Sequence, residues 1–148
     1  MLMTNSRHLQ FTEFLQSISD SPISRDPDGD YVLVYSGAKF YARLIGEVNT
    51  VVQFFSVVAA DLPSIPEIYK YLNELNTKLN FVRAFHIENQ ILFESEFHLD
   101  NLNHGTFDFA CRHIARESDN FGEEIIQTFG GAPRWQIGKT SNYKFGFI

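Results

Sequence analysis

Residues 64–100 read SIPEIYKYLNELNTKLNFVRAFHIENQILFESEFHLD, and this stretch decides the fold. Its first part repeats apolar residues at spacings of three and four, which predicts an amphipathic helix over Pro66 to Leu79. The apolar positions are Ile68, Leu72, Leu75 and Leu79. Ser64 and Glu67 form a capping-box pattern, in which each side chain satisfies an unpaired backbone amide at the start of the helix.

Two asparagines, Asn73 and Asn76, lie on the flank of this predicted helix. Asparagine is disfavoured inside helices because its side-chain amide competes with the backbone for hydrogen bonds. Two interpretations therefore stand side by side. The amides either tie the helix to a neighbouring strand or loop, or they are simply solvated.

After the helix the apolar period changes from 3.6 to 2, which predicts a hairpin over Phe81 to Leu99. A three-residue loop, Glu88 to Gln90, would place aromatic residues opposite one another, whereas a two-residue loop would set them against charged ones. We therefore predict the three-residue loop. The predicted pairs are Phe81 with Phe97, Phe85 with Phe93 and Ile87 with Ile91.

The rest of the chain supplies two more helices and three more strands. The helices are predicted over residues 7–19 and 103–129, and the strands over Tyr31 to Tyr35, Phe40 to Ile45 and Val51 to Ala59, with a turn at Gly37-Ala38. Gly130-Gly131 ends the last helix, and Gly122 within it marks a close contact or a bend. The fold class is α+β in the order α-β-β-β-α-β-β-α, with an antiparallel sheet of about five strands and the helices packed on one face.

Two parts of unequal size follow from this pattern. Residues 1–131 form the folded domain, and residues 132–148 form a C-terminal aromatic tail. In the tail Tyr143, Phe145 and Phe147 alternate at period two, which favours an added strand.

The composition narrows the classes of function. Hydrophobic residues make up 44% and charged residues 20% of the 148 residues, as in ordinary globular proteins. The net charge of −6 gives the chain no overall attraction to the phosphates of nucleic acids, unlike that of a typical nucleic-acid-binding protein. The single Cys111 excludes an internal disulfide, and no signal segment or apolar run of membrane-spanning length occurs. We therefore expect a cytoplasmic protein that binds neither nucleic acid nor membranes.

The first three strands predict a sheet that is apolar on both faces. One face packs under the helices, and we call the other the open face. An antiparallel sheet with a solvated face is normally polar there, so an apolar open face indicates a surface for a partner. The predicted partner-binding residues are Val32, Val34, Tyr41, Arg43, Ile45, Gln53, Phe55 and Val57, with Val51 beside them.

Few residues indicate a catalytic or metal-binding site. Cys111 lies on the apolar stripe of its helix, which favours a small buried residue over a nucleophile. Glu94, Glu96, His98 and Asp100 share one strand face, but successive same-face residues lie about 6–7 Å apart, so a solvated face is favoured over a metal site. Arg83 is expected to extend to solvent or to pair with a carboxylate. We predict no catalytic residue, metal or cofactor.

The residues that carry a family resemblance are Tyr71 to Asn76 (YLNELN), Phe81 to Phe85 (FVRAF), Ile91 to Glu94 (ILFE) and the long helix ending at Phe129-Gly130-Gly131. With the order of elements over residues 5–131, they make the chain resemble the type III secretion chaperone-like fold. The chain is similar to the bacterial YbjN-type family built on that fold, including its actinobacterial peptide-binding branch. The resemblance implies a chaperone or adaptor that holds an extended protein segment, often as a homodimer, without catalytic residues.

We therefore expect a non-enzymatic chaperone-like or adaptor module that binds a protein segment, with edge-strand pairing giving affinity and apolar pockets giving selectivity. Two alternatives remain open. One is a structural or regulatory homodimer whose open face is consumed by self-association. The other is a small-ligand-binding α+β domain or enzyme with a cavity between sheet and helices, for which the face from Glu94 to Asp100 is the support.

Overall fold

The computed structural model describes residues 2–35, 38–46, 48, 50–101 and 103–133, with side chains from residue 8 to residue 132. Three helices and one antiparallel sheet make up the described chain. The elements are α1 (Leu2–Ile18), β1 (Ser24–Arg25), β2 (Tyr31–Tyr35), β3 (Ala38–Ile45), β4 (Val51–Ala60), α2 (Pro66–Asn76), β5 (Arg83–Ile87), β6 (Gln90–His98), a 3-10 turn (Leu99–Asn101), α3 (His104–Phe129) and β7 (Ala132–Pro133).

The sheet has seven strands in the order β1-β2-β3-β4-β6-β5, and the short β7 pairs with the end of β4. The five long strands, β2 to β6, are the five that the sequence predicts, and the α+β fold class is confirmed. Leu33 lies opposite Phe40, and Tyr41 lies opposite Phe55. The two faces of these strands therefore carry the side chains that the alternation assigns to them.

All three helices pack on the same face of the sheet. Phe54, at the centre of β4, has its ring 5.1 Å from that of Phe107 in α3, and the Phe107 ring lies 6.1 Å from that of Phe11 in α1. Helix α2 adds its buried apolar stripe, Ile68, Leu72 and Leu75, as predicted. Aromatic contacts thus join the sheet to α1 and α3 in one core.

Two glycines allow close approach to β4. A Cβ on Gly122 would lie 3.2 Å from Cγ1 of Val58, so the close contact predicted for this position is confirmed. Gly131 has a φ of 82°, and a Cβ there would lie 2.5 Å from the carbonyl oxygen of Ala60. A Cβ at Gly131 would clash with the backbone of β4, whereas at Gly122 it would only crowd the Val58 side chain.

The predicted hairpin loop is wrong by one residue. Ile87 pairs with Gln90 and Phe85 with Leu92, so the loop is the two-residue turn Glu88-Asn89. Both turn residues have positive φ, 49° and 62°, which is the conformation of the turns whose twist matches that of paired strands. The predicted pairs of Phe85 with Phe93 and Ile87 with Ile91 are therefore not formed.

Three local predictions also differ from the structure. Helix α2 ends at Asn76, three residues before the predicted Leu79. Its N-cap is Ile65 without a side-chain cap, because the Ser64 hydroxyl instead bonds the Tyr69 hydroxyl. Ala38 is the first residue of β3 and pairs with Tyr35 of β2, so it is not part of the turn. Gly37 lies outside the described residues.

Asn76 joins α2 to the edge strand β5. Its side-chain amide donates to the carbonyl oxygen of Ala84 at 2.9 Å and accepts from the amide nitrogen of Ala84 at 2.8 Å. The tertiary interpretation is thus confirmed for Asn76. The exposed Asn73, one turn earlier, makes no such bond among the described residues.

We predict that Asn76→Ala lowers the free energy of unfolding by about 1–2 kcal/mol, because two backbone groups of Ala84 lose their partner. Asn73→Ala is the matched control on the same helix, and it should change stability by no more than about 0.5 kcal/mol. Urea unfolding of both variants checks this. Equal effects would show that the Asn76 bonds contribute nothing specific.

Candidate functional site: the open face of the sheet

A second apolar cluster lies on the open face, and all of its members come from strands. Its buried residues are Tyr41, Phe55, Val57 and Leu92, with Val32, Phe85 and Ile87 packed against them. Phe55 and Leu92 are 0% exposed even though none of the three helices contributes to this cluster. The predicted open face is thus extended by the hairpin, whose true register turns Phe85 and Leu92 onto it.

The structure places all eight predicted partner-binding residues on this face. Tyr41, Gln53, Phe55 and Val57 are buried, and the others, Val32, Val34, Arg43 and Ile45, are half-buried. The Tyr41 and Phe55 rings stack with centroids 5.2 Å apart. The register of β4 and β6 continues the row from Phe55 to Glu94, so the aromatic stack ends beside a carboxylate.

Cationic side chains lie over the aromatic rings of this face. The Lys39 ammonium, the Arg43 guanidinium and the Arg83 guanidinium lie 5.8, 5.1 and 5.3 Å from the ring centroids of Tyr41, Phe55 and Phe85. Such contacts follow from the negative potential of the ring face. Arg43 also pairs with Asp30 through two hydrogen bonds of 2.6 Å.

The prediction of a solvated surface is wrong for Glu94, whose side chain is buried in the open face. Arg83 on β5 pairs with the Glu94 carboxylate and, at 2.8 Å, with Glu96, which confirms its expected carboxylate pairing. Burial raises the pKa of Glu94 to about 7, because the effect of desolvation outweighs the stabilisation of the carboxylate by Arg83. The nearby Glu96 contributes to this rise in the pKa.

Three buried polar atoms of the open face lack hydrogen-bond partners. They are Nε2 and Oε1 of Gln53 and Oε1 of Glu94, and none has a partner among the described residues. Gln53 lies on β4 between Arg43 of β3 and Glu96 of β6. Nothing in the sequence distinguishes this glutamine from a solvated one, because the sequence does not reveal burial on a face without helices.

The outer edges of the sheet are already occupied in part. At one edge β1 pairs with the start of β2, and Ser19 and Asp20 bond the backbone of Val34 at 3.2 and 2.7 Å. At the other edge Asn76 occupies both backbone groups of Ala84, the second residue of β5. An added strand would have to displace these bonds, so the expected edge-strand pairing is disfavoured and the open face remains the better candidate.

A third surface feature, which the sequence did not suggest, is an exposed aromatic patch formed by Phe81, Phe109 and His113. The Phe81 ring lies 5.1 Å from that of Phe109 and 6.1 Å from that of His113. Phe81 has a φ of 69°, a left-handed conformation that is rare for a bulky residue, and the Ser95 hydroxyl donates to its carbonyl oxygen at 2.7 Å. Phe81 and Phe109 are 47% and 42% exposed.

The described residues offer little for catalysis or metal binding. Burial raises the pKa of the Cys111 thiol well above its usual range, which keeps it protonated and unreactive. Glu94 and Glu96 are engaged with Arg83, while the His98 imidazole accepts from the backbone of Asp100 at 3.1 Å. The predicted set from Glu94 to Asp100 is therefore not brought together as a group of ligands.

An acidic loop is the one group among the described residues with metal-ligand spacing. The carboxylates of Asp26, Asp28 and Asp30 lie within 4.8 Å of one another, beside a surface cavity of about 580 Å³ that Arg25 and Arg43 also line. Asp30 is committed to Arg43, and Oδ1 of Asp26 accepts two backbone amides of its own loop at 3.0 Å. These contacts explain the arrangement as a structured turn.

None of the described helices combines the length and apolar character that crossing a bilayer requires. The model of the TY-Chap1 family, described as T3SS (YopN, CesT) and YbjN peptide-binding chaperone 1, matches residues 8–136. This match extends the resemblance, seen in the sequence over residues 5–131, slightly into the tail. No curated protein matches the chain in sequence.

Two solved structures resemble the fold. The chain is similar to one in the crystal structure of the ExsC–ExsE complex, with a TM-score of 0.60 and 14% identity over 81% of this chain and 93% of that one. It is also similar to one in the structure of the HopA1–SchA chaperone–effector complex, with a TM-score of 0.57 and 15% identity over 82% of this chain and 97% of that one. These likenesses support the predicted fold family.

We predict that Glu94 makes stability depend on pH. Its pKa is about 7 in the folded chain against an ordinary value of 4.5, so between these values the folded state binds more protons than the unfolded state. The free energy of unfolding should therefore fall as the pH rises from 4.5 to about 7. Glu94→Gln should remove this contribution and become more stable than the unchanged protein above that window.

Denaturant unfolding at a series of pH values measures the difference between the two proteins. Glu13→Gln, at an exposed position of α1, is the matched control and should follow the unchanged protein at every pH. If Glu94→Gln keeps the same slope as the unchanged protein, the Glu94 carboxylate is not the titrating group.

Proposed function

Since this chain belongs to the TY-Chap1 family of T3SS (YopN, CesT) and YbjN peptide-binding chaperones, we propose that it is a non-enzymatic, cytoplasmic chaperone-like or adaptor module that holds an extended segment of another protein. The observation that carries the proposal is the open face. It presents a cluster of apolar side chains on which none of the described helices packs. Apolar strand side chains that are buried without a described helix above them indicate a face that another polypeptide segment covers, whether of this chain or of a partner.

The open face suits a polypeptide segment better than a small molecule. Its apolar residues spread across five strands, β2 to β6, so they form a broad surface and not an enclosed cavity. Arg43 and Arg83 lie over rings at two sides of the cluster and can bind carboxylate or carbonyl groups of a segment that crosses it. The apolar side chains would then select the side chains of the segment.

The C-terminal tail is the proposed occupant of this face when no client is present. Residues 134–148 lie outside the described residues, but β7 brings the chain to Ala59 on β4, two residues from Val57 of the open face. The fifteen residues can extend about 50 Å, while crossing five strands requires about 20 Å. The burial of Phe55 and Leu92 without a helix above them supports this placement.

The charge of the tail is consistent with this role. It contains Arg134, Lys139 and Lys144 and no acidic side chain, whereas the whole chain has a net charge of −6. A tethered segment has an effective concentration near the millimolar range, so a weak intrinsic affinity is enough to populate the docked state. A client segment would bind by displacing the tail.

We predict that deletion of residues 138–148 increases the binding of a hydrophobic dye and strengthens the binding of a peptide client by about tenfold, because the tethered competitor is gone. The probe is a peptide selected by phage display against the full-length chain. Fluorescence polarisation measures its affinity for the full-length and shortened proteins.

Two substitutions on the full-length chain locate the binding surface. Val32→Glu places a charge on the open face and should abolish peptide binding. Leu9→Glu makes the same kind of change at a position of α1 that is 61% exposed, and it should have no effect. Failure to select any peptide would argue against segment binding, and equal affinity of the shortened protein would argue against the role of the tail.

The homodimer belongs to the proposal, and the aromatic patch of Phe81, Phe109 and His113 is its proposed contact surface. The residues of the open face are already covered in the single chain and offer a second copy little apolar area. Phe81 and Phe109 remain exposed, and the left-handed backbone of Phe81 holds its ring beside that of Phe109 on the surface. A two-fold axis through the patch would bury it against itself.

We predict a dimer at micromolar concentration that Phe109→Glu converts to a monomer, because an unpaired carboxylate in an apolar contact costs several kcal/mol. Size-exclusion chromatography with light scattering gives the mass. Leu9→Glu, another exposed apolar position on a helix, serves as the control and should remain dimeric. A monomeric mass for the unchanged chain would contradict self-association altogether.

A further inference from the structure

Gln53 is the most unusual polar residue of the open face. Its side chain is 0% exposed, and neither its amide nitrogen nor its amide oxygen has a hydrogen-bond partner among the described residues. An unpaired buried amide is unfavourable, and native proteins rarely retain one without a reason. An apolar residue of similar size, such as methionine, would fill the same space without this penalty.

A second unpaired group lies next to it. Oε1 of Glu94 is buried without a partner, while Oε2 of the same carboxylate binds Arg83. Gln53 lies opposite Glu96 and Phe55 lies opposite Glu94, so Gln53 and Glu94 are diagonal neighbours on adjacent strands and share the open face. Diagonal neighbours in a sheet are about 7–8 Å apart.

This spacing matches the repeat of an extended polypeptide. In an extended chain the backbone groups of residues i and i+2 point to the same side, about 6.6 Å apart. The Gln53 amide carries an NH2 donor group and a carbonyl acceptor in one plane, so one of its N–H groups and its oxygen can pair with the C=O and N–H of a single residue. Oε1 of Glu94 can accept a further N–H two residues along the segment.

We infer that Gln53 and Glu94 bind the backbone of the client segment on the open face and thereby set its register. The inference rests on the proposed function and adds to it the part of the client that is recognised, namely the peptide backbone. Backbone recognition lets one surface hold segments of different sequence, because every residue except proline carries the same two groups. The apolar cluster around the pair excludes water, which strengthens these hydrogen bonds.

The test compares stability with binding in the full-length chain. Gln53→Met removes the unpaired amide, so the melting temperature should stay equal or rise by about 2–4 °C. The same substitution should weaken the binding of the phage-selected peptide by about tenfold, because backbone groups of the peptide lose their partners. Gln127→Met, on the exposed surface of α3, is the matched control and should change neither quantity.

A change in the peptide alone gives the second half of the test. Peptides carrying a single backbone N-methyl group are measured in turn, and methylation at one position should weaken binding to the unchanged protein by about as much as Gln53→Met does. The same methylation should have no further effect on the Gln53→Met protein. This arm does not depend on the stability of any variant.

The outcomes separate the inference from the proposed function. If the peptide binds the unchanged and Gln53→Met proteins equally well, the proposed function stands, but Gln53 does not bind the backbone of the peptide. If the effects of methylation and of Gln53→Met simply add, the two groups do not meet and the inference is wrong. If no peptide is selected at all, the proposed function itself fails.

Discussion

The rest of the structure depends on one constraint. The antiparallel sheet is apolar on both faces, but the described helices pack on only one of them. The covered face is held by aromatic contacts from Phe54 to Phe107 and on to Phe11, and these contacts place α1 and α3. The other face has the stacked pair Tyr41 and Phe55 at its centre. A face of that kind is covered by something other than these helices, so the pattern of alternation that builds the sheet also underlies the proposed binding surface.

The same alternation explains how much of the structure could be predicted from the sequence. Side-chain direction in a strand has a period of two, so the predicted turn at Gly37-Ala38 misplaces the register by two residues and leaves both faces correct. The hairpin was wrong by one residue, and there the faces reverse. The sequence favours a three-residue loop because the shorter one opposes aromatic and charged residues, yet in the structure Arg83 lies opposite Glu94 and pairs with its carboxylate. Whether Glu94 and Gln53 are buried could not be predicted either, because the burial of a strand residue depends on what lies above the sheet.

The pairing of Asn76 with Ala84 bears on the mode of binding. A sheet edge with free backbone groups attracts further strands, including those of identical chains. Here the side chain of Asn76 occupies both backbone groups of Ala84 at one edge, while β1 and the Ser19-Asp20 segment bond parts of β2 at the other. These contacts restrict pairing at the edges of the sheet, and none of them covers the open face. For the proposed chaperone, this arrangement would restrict polymerisation through its own strands while leaving the open face for a segment.

The polar atoms of the open face impose a second condition on whatever covers it. An apolar cover buries Phe55 and Leu92 but leaves the Gln53 amide and Oε1 of Glu94 unpaired, at a penalty of about 1–3 kcal/mol for each group. A segment that supplied backbone hydrogen bonds at these points would remove the penalty and would be favoured over one that does not, by about 5- to 150-fold per group. In the proposed mechanism, a client that pairs these groups would therefore be favoured over a tail that leaves them unpaired.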